Sequence, residues 1–331
     1  VSRRIRLLTL VLILLPPIIL GQESSEPPLR VGIVPFVGEA TTYYALEAGL
    51  FERQGISIDR VPFNSGYDAL SALRRGAIDL CAAAPTSVVN AAIKGASEGA
   101  PGGAGFSIIA SLIESSTTTN VVVLGDRNPD DLRGATVGIP LGTAAEYFWH
   151  LFARIRGFDP VEDVILRDYD LPRLLEAALE SRVDVAVFWG PYDLQLRDVE
   201  GMAARILDVD HLYTTSWLLL VRREVLETRR DTVVAYLRAL LEAERVVHRD
   251  PGKVARMHSE QMNTPVDVLL RSYDRIEFDL SLTEAMLINL HQQAEWSVRE
   301  GIVEGKIPDL RLYLAKEPLL EIDPDRVRLL E

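Results

Sequence analysis

The sequence predicts an α/β protein built as two doubly wound lobes. Three observations carry that expectation. Apolar strands alternate with amphipathic helices from residue 31 to residue 191, an order that buries a parallel sheet between layers of helices. The same strand, turn, helix and Gly pattern occurs at Val31 and again at Val137, 106 residues on. The chain has 331 residues and is 48% hydrophobic, enough to fill two cores.

The elements follow in order. Arg3, Arg4 and Arg6 precede an apolar run from Leu7 to Leu20, and a polar stretch follows. The run is shorter than the ~20 apolar residues of a bilayer crossing, and Pro16–Pro17 breaks it. Residues 1–21 are therefore expected to be a secretory signal peptide, with an uncleaved anchor as the alternative. No Cys near that boundary offers a lipid attachment site.

The first repeat reads VGIVPFVGEATTYYALEAGLFERQGISI and the second VGIPLGTAAEYFWHLFARIRGFDP, each ending its helix at a glycine, Gly55 or Gly157. The match continues in DALSALRRGAIDLCAAAP, ending at Pro85, and LPRLLEAALESRVDVAVFWGP, ending at Pro191, again 106 apart. Each is an amphipathic helix, an Asp (Asp79 or Asp184), and an apolar strand that runs into a proline loop. Two matches in register point to a duplicated β-α-β-α-β lobe.

The segment YTTSWLLLV returns as a strand, and helices follow it. The longest, near 230–249, puts Val233, Val234, Leu237, Leu240 and Leu241 on one face. Ser281 or Thr283, ahead of Glu284, caps the start of a later helix. This tail is expected on the first lobe. The lobes are then residues 30–120 with 216–331, and residues 121–215, with crossovers at 117–124 and 213–221. Two lobes joined by two crossovers make a hinged clamshell.

Sheets of this kind bind ligands beyond the carboxyl ends of their strands. The loops to watch are therefore PFVGEATT, PFNSGYD, AAPTS, PLGTAA, RDYDLP and FWGPYD. Trp189 leaves its strand at that end and is the best aromatic candidate for the cleft. Tyr147, Phe148 and Trp149 cannot all face one way on a helix; Phe148 is assigned to the core, and Tyr147 and Trp149 stay open. Asp68 and Asp170 read first as helix caps. ESSTTTN (114–120) and His211 lie near the crossovers, with structural or ligand-facing roles both open. The single cysteine, Cys81, forms no internal disulfide and reads as a small buried side chain.

Composition narrows the partners. A net charge of −13 disfavours nucleic acid and anionic membrane. No G-x-S-x-G, H-E-x-x-H, P-loop or G-x-G-x-x-G motif is present, and the five histidines show no metal-ligand spacing. Neither a metal nor a cofactor is expected, nor an enzyme.

The segments YYALEAGLFERQGISI, GYDALSALRRGAIDLCAAAPTSVVNAAIKG, DLRGATVGIPLGTAAEYF and LLEAALESRVDVAVFWGPY, in this order, resemble a known family over roughly residues 30–300. It is the family of periplasmic substrate-binding proteins of ABC importers for nitrate, taurine, aliphatic sulfonates and pyrimidine thiamine precursors. The resemblance implies a type II periplasmic-binding-protein fold, and a monomer in the periplasm that delivers a small molecule to an ABC permease and its ATPase. It also implies that the helix starts at Ser65–Gly66, Thr86–Ser87 and Gly142–Thr143–Ala144 face the ligand. The chemistry agrees with that. Helix starts carry unpaired N–H groups, Gly allows close approach, and Ser or Thr adds a hydroxyl. The family often has a Trp and a Pro-Tyr where this chain has WGPY, so Trp189 and Tyr192 are expected as walls, with hydroxyls from Thr41 and Thr42. Four lysines in all, none in a cleft loop, make a nitrate site less attractive. An aliphatic sulfonate or taurine is placed first, a pyrimidine or other vitamin precursor second, and an enzyme of the same fold third.

Overall fold

The computed structural model describes residues 26–98, 104–207, 209 and 212–330. The expected signal peptide and His211 lie outside the described residues. The chain begins with β1 (Leu29–Ile33), a 3-10 turn (Val37–Glu39), α1 (Ala40–Glu47), α2 (Leu50–Arg53), β2 (Ile58–Pro62), α3 (Gly66–Arg74), β3 (Leu80–Ala83), α4 (Pro85–Ser97) and β4 (Phe106–Ser115). A second set follows: β5 (Thr119–Leu124), β6 (Thr136–Ile139), α5 (Ala144–Ile155), β7 (Ile165–Asp168), α6 (Leu171–Leu179), β8 (Val185–Trp189), α7 (Tyr192–Arg197) and β9 (Ala204–Ile206). The return strand β10 (Thr215–Arg222) leads into α8 (Arg223–Thr228), α9 (Arg230–Arg249), α10 (Pro251–Met262), α11 (Val266–Tyr273), α12 (Glu284–Arg299) and α13 (Glu317–Ile322).

Two five-stranded sheets result, in the orders β2-β1-β3-β10-β4 and β7-β6-β8-β5-β9. They are not wholly parallel. β10 runs antiparallel to β3 and β4, and β5 antiparallel to β8 and β9. In each lobe the reversed strand is the one that has just crossed from the other lobe. The segments 117–124 and 213–221, expected as crossovers, are therefore largely strands inside the lobes. Among the described residues, 116–118, 207, 209 and 212–214 lie in the links.

The repeat is physical as well as textual. Arg30 N–H donates to the Asp79 carboxylate at 3.0 Å, and Thr136 N–H donates to Asp184 at 2.7 Å. The partner backbone bonds repeat too, Asp79 to Arg30 and Asp184 to Thr136. Gly32 and Gly138 sit at equivalent points of β1 and β6. A Cβ at Gly32 would press on Ile78, and one at Gly138 on Leu174 and Val183. Lobe 2 shows why its strands are continuous apolar runs. Val121, Val123, Val185 and Val187 face one layer, while Val122, Leu124, Ala186 and Phe188 face the other. The helical tail packs on lobe 1, with α9 on α1 and α2 and α12 on α4.

Candidate functional site

The carboxyl ends of β1, β3, β6 and β8 lead into the loops where a ligand is expected. The two lobes meet there. Ala84, just past β3, and Trp189, the last residue of β8, each pack against buried residues of both lobes.

On the lobe 1 side, Gly66 opens α3 against β3. A Cβ there would meet the Trp217 ring at 2.7 Å and the Ala83 Cα at 2.9 Å, so only glycine fits. Ser65 caps the helix: its Oγ accepts from Asp68 N–H at 3.2 Å and donates to the Asp68 carboxylate at 2.7 Å. Trp217 also lies against Phe36, with centroids 4.6 Å apart, and its Nε1–H donates to Glu39 Oε1 at 3.0 Å. Glu39 is fully buried and makes no ion pair among the described residues. Burial pushes its carboxyl up to about 7, against the opposing pull of the Trp217 hydrogen bond. The Thr42 hydroxyl lies near that carboxylate without a well-formed hydrogen bond, and the Thr41 hydroxyl is likewise buried and unpartnered.

The α4 start differs from a simple open donor set. Pro85 occupies its first position, where a missing N–H costs nothing. Thr86 is 0% exposed, and its hydroxyl donates to Gln293 of α12 at 2.5 Å. That hydroxyl ties the tail to lobe 1. Ser87, beside it, is buried.

The α5 start is not neutral. Gly142 takes φ +73°, a left-handed turn that favours glycine. Thr143 is the N-cap, accepting from Ala145 N–H at 3.2 Å and donating to Pro140 O at 2.7 Å. Glu146, buried in the first turn, folds back and accepts from Gly142 N–H at 2.6 Å. Burial raises its carboxyl above the usual range, and the Gly142 bond opposes that. Ala144 is buried at the helix start. The pattern Thr-Ala-Ala-Glu is a capping-box signature, the signal by which sequence could have shown this carboxylate.

The aromatic residues sort clearly. Phe148 is buried in the lobe 2 core, as expected. Trp149 is fully buried too, its Nε1–H donating to Pro160 O at 2.9 Å. Tyr147 packs edge-on against Tyr213 and Trp296, away from the α5 start. Trp189 and Tyr192 are half-buried, and Tyr192 stacks on Phe188. A 640 Å³ crevice opens elsewhere, between α12 and α5, with Glu114, Tyr147, Tyr213, Asn289, Glu295 and Trp296 among its lining residues. None of the expected ligand contacts lines it. Among the described residues no cluster of His, Cys, Asp or Glu could hold a metal ion, and no helix is long and apolar enough to cross a membrane.

Residues 38–254 match the NMT1/THI5-like family. The chain belongs to that family. A Brachyspira hyodysenteriae protein named as an ABC transporter periplasmic binding protein is 26% identical over 253 residues, covering 71% of this chain and 70% of its own. The Escherichia coli periplasmic aliphatic sulphonate binding protein SsuA superposes with a TM-score of 0.72 at 20% identity, covering 87% of this chain and 98% of its own. The desulfurization enzyme DSZB superposes with a TM-score of 0.63 at 14% identity, covering 91% and 100%. These likenesses establish the type II periplasmic-binding fold.

Proposed function

We propose that this chain is the periplasmic solute-binding component of an ABC importer. It captures a small polar organic solute between its lobes and delivers it to a permease driven by an ATPase, with no covalent chemistry. The carrying observation is that Ala84 and Trp189, at strand carboxyl ends of different lobes, each pack against both cores. The family and the Brachyspira relative support the same reading.

The solute is expected between the start of α1 at Thr41 and Thr42, the starts of α3, α4 and α5, and the Trp189–Tyr192 loop. Two buried carboxylates, Glu39 and Glu146, stand at the starts of α1 and α5, and these helix starts and the Trp189–Tyr192 loop contain no Lys or Arg. Carboxylates there already answer the positive helix ends that an anion would use. Trp189, half-buried, adds flat apolar surface. We therefore favour a ring-bearing solute with N–H donors, such as a pyrimidine, over a simple anion. The aliphatic sulfonate or taurine reading rests on the first backbone N–H groups of α4, because at α5 those of Gly142, Ala145 and Glu146 already have acceptors.

Native mass spectrometry of protein purified from its export compartment tests this. A released aminopyrimidine-like compound is the expected result. A sulfonate would return the weight to the helix starts at Thr86 and Thr143. Chemical conversion of the compound would favour the enzyme reading, which the DSZB likeness keeps as the second one.

A further inference from the structure

Charged side chains cross from lobe 1 to lobe 2 on the flank of the hinge where α11 meets α7. Arg275, just past α11, reaches Asp193 in the first turn of α7, with Nη1 to Oδ2 at 2.7 Å. The Asp193 side chain is 0% exposed. The same oxygen accepts from Asn120 Nδ2 of β5 at 2.9 Å. Arg275 also donates to the Thr117 carbonyl in the first link, and its own carbonyl accepts from the Ser115 hydroxyl at 2.5 Å. Arg275 thus grips the end of β4, the link and lobe 2 together. One helical turn away Arg271 pairs with Asp198, Nη1 to Oδ1 at 3.2 Å, and holds that carboxyl below its usual range. Gln195 of α7 donates to Thr264 at 3.2 Å. α7 follows directly on the loop that carries Trp189 into the cleft.

We propose that this ionic latch, Arg275 to Asp193 and Arg271 to Asp198, holds the lobes closed and thereby sets solute affinity. The inference rests on the clamshell reading above. Lobe 2 moves as its sheet and helices move, so opening the cleft pulls α7 away from α11. That separates a fully buried carboxylate from Arg275, the cation paired with it among the described residues, and such separations are costly. Arg275 is a positioning residue: it acts through α7 on Trp189 and Tyr192, not on the solute. The outer pair, Arg271 to Asp198, is partly exposed, so salt screens it. The closed form is therefore populated without solute, and salt reduces it.

Single-molecule energy transfer on the full chain tests this, with dyes at Glu52→Cys of α2 and Glu162→Cys of lobe 2. Cys81 is buried and stays unlabelled. Without solute, Arg275→Met and Arg271→Glu should each lower the closed-to-open ratio, Arg275→Met by about tenfold or more. The swap Arg271→Glu with Asp198→Arg should restore it. Raising salt should open the parent protein but not the Arg271→Glu variant, whose new carboxylate repels Asp198 and Asp267, a repulsion that salt relieves. Arg271→Glu changes a partly exposed residue, so it reads the latch even where Arg275→Met folds poorly. A closed population that Arg271→Glu and salt leave unaltered overturns the proposal, as does lower thermal stability alone in Arg275→Met. A failure of the importer reading looks different: no aminopyrimidine, taurine or alkanesulfonate alters the transfer efficiency of the parent protein, while the latch variants still do.

Discussion

Glu39 is a carboxylic acid placed where water does not reach, with an indole N–H as its defined partner. Its folded value near 7 lies above the ordinary 4.5, so between those values the folded chain holds a proton the unfolded chain has released. The stability this group contributes is then fully present below about 4.5 and is lost as the pH rises through 7. Glu39→Gln keeps an acceptor for Trp217 and removes the charge. It should stabilise the protein at pH 8 by about 3 kcal/mol and by much less at pH 5, read by urea unfolding. His258 acts with the opposite sign. It is buried against Tyr43, with Nδ1 2.7 Å from the Tyr273 hydroxyl, and burial pushes it down to about 3. The unfolded chain takes up a proton below about 6.5 and the folded chain does not, so this group withdraws stability as the pH falls toward 3. Glu39→Gln removes one of the buried carboxyls that oppose the His258 slope, so the pH of maximum stability should move upward.

At the scale of elements, α5 shows what a helix start does before any ligand arrives. Thr143→Ala removes its cap and should cost about 1 kcal/mol, measured by chemical unfolding. If the α5 start contacts solute, Thr143→Val should also weaken binding, read by calorimetry with the released compound. Equal affinity in that variant would remove the turn from the site. The elements themselves were largely legible. Glycines at 32 and 138 and prolines at 85 and 191 are 106 residues apart, and aspartates at 79 and 184 are 105 apart, because each lobe solves the same packing problem. Strand direction was not legible, since the alternation in TNVVVL or TSWLLLV is the same read either way. Nor were the charged groups beside these helix starts. Glu146 was hidden in an apparently neutral turn, although its capping box stood in the sequence. Trp217 read only as part of a strand, and the pairing of Asp193 with Arg275, 82 residues apart, exists only once the chain has folded. Thr86 was read as a free hydroxyl because its partner, Gln293, lies on a distant helix.

The whole molecule is two copies of one lobe that exchange a strand, with a helical tail that packs mainly on the first and sets Trp296 of α12 into the core of the second. The exchanged strands, β5 and β10, tie each lobe to the links, so the lobes can rotate without losing sheet hydrogen bonds. On the proposed reading the clamshell closes over its solute, and closure is what distinguishes it from a rigid protein of the same fold. Small-angle scattering during titration with an aminopyrimidine, taurine and an alkanesulfonate measures that most directly. The account predicts that the ligand that binds lowers the radius of gyration in a saturable way and is recovered unchanged. Saturable binding at constant radius, or a ligand recovered as a different compound, would contradict it.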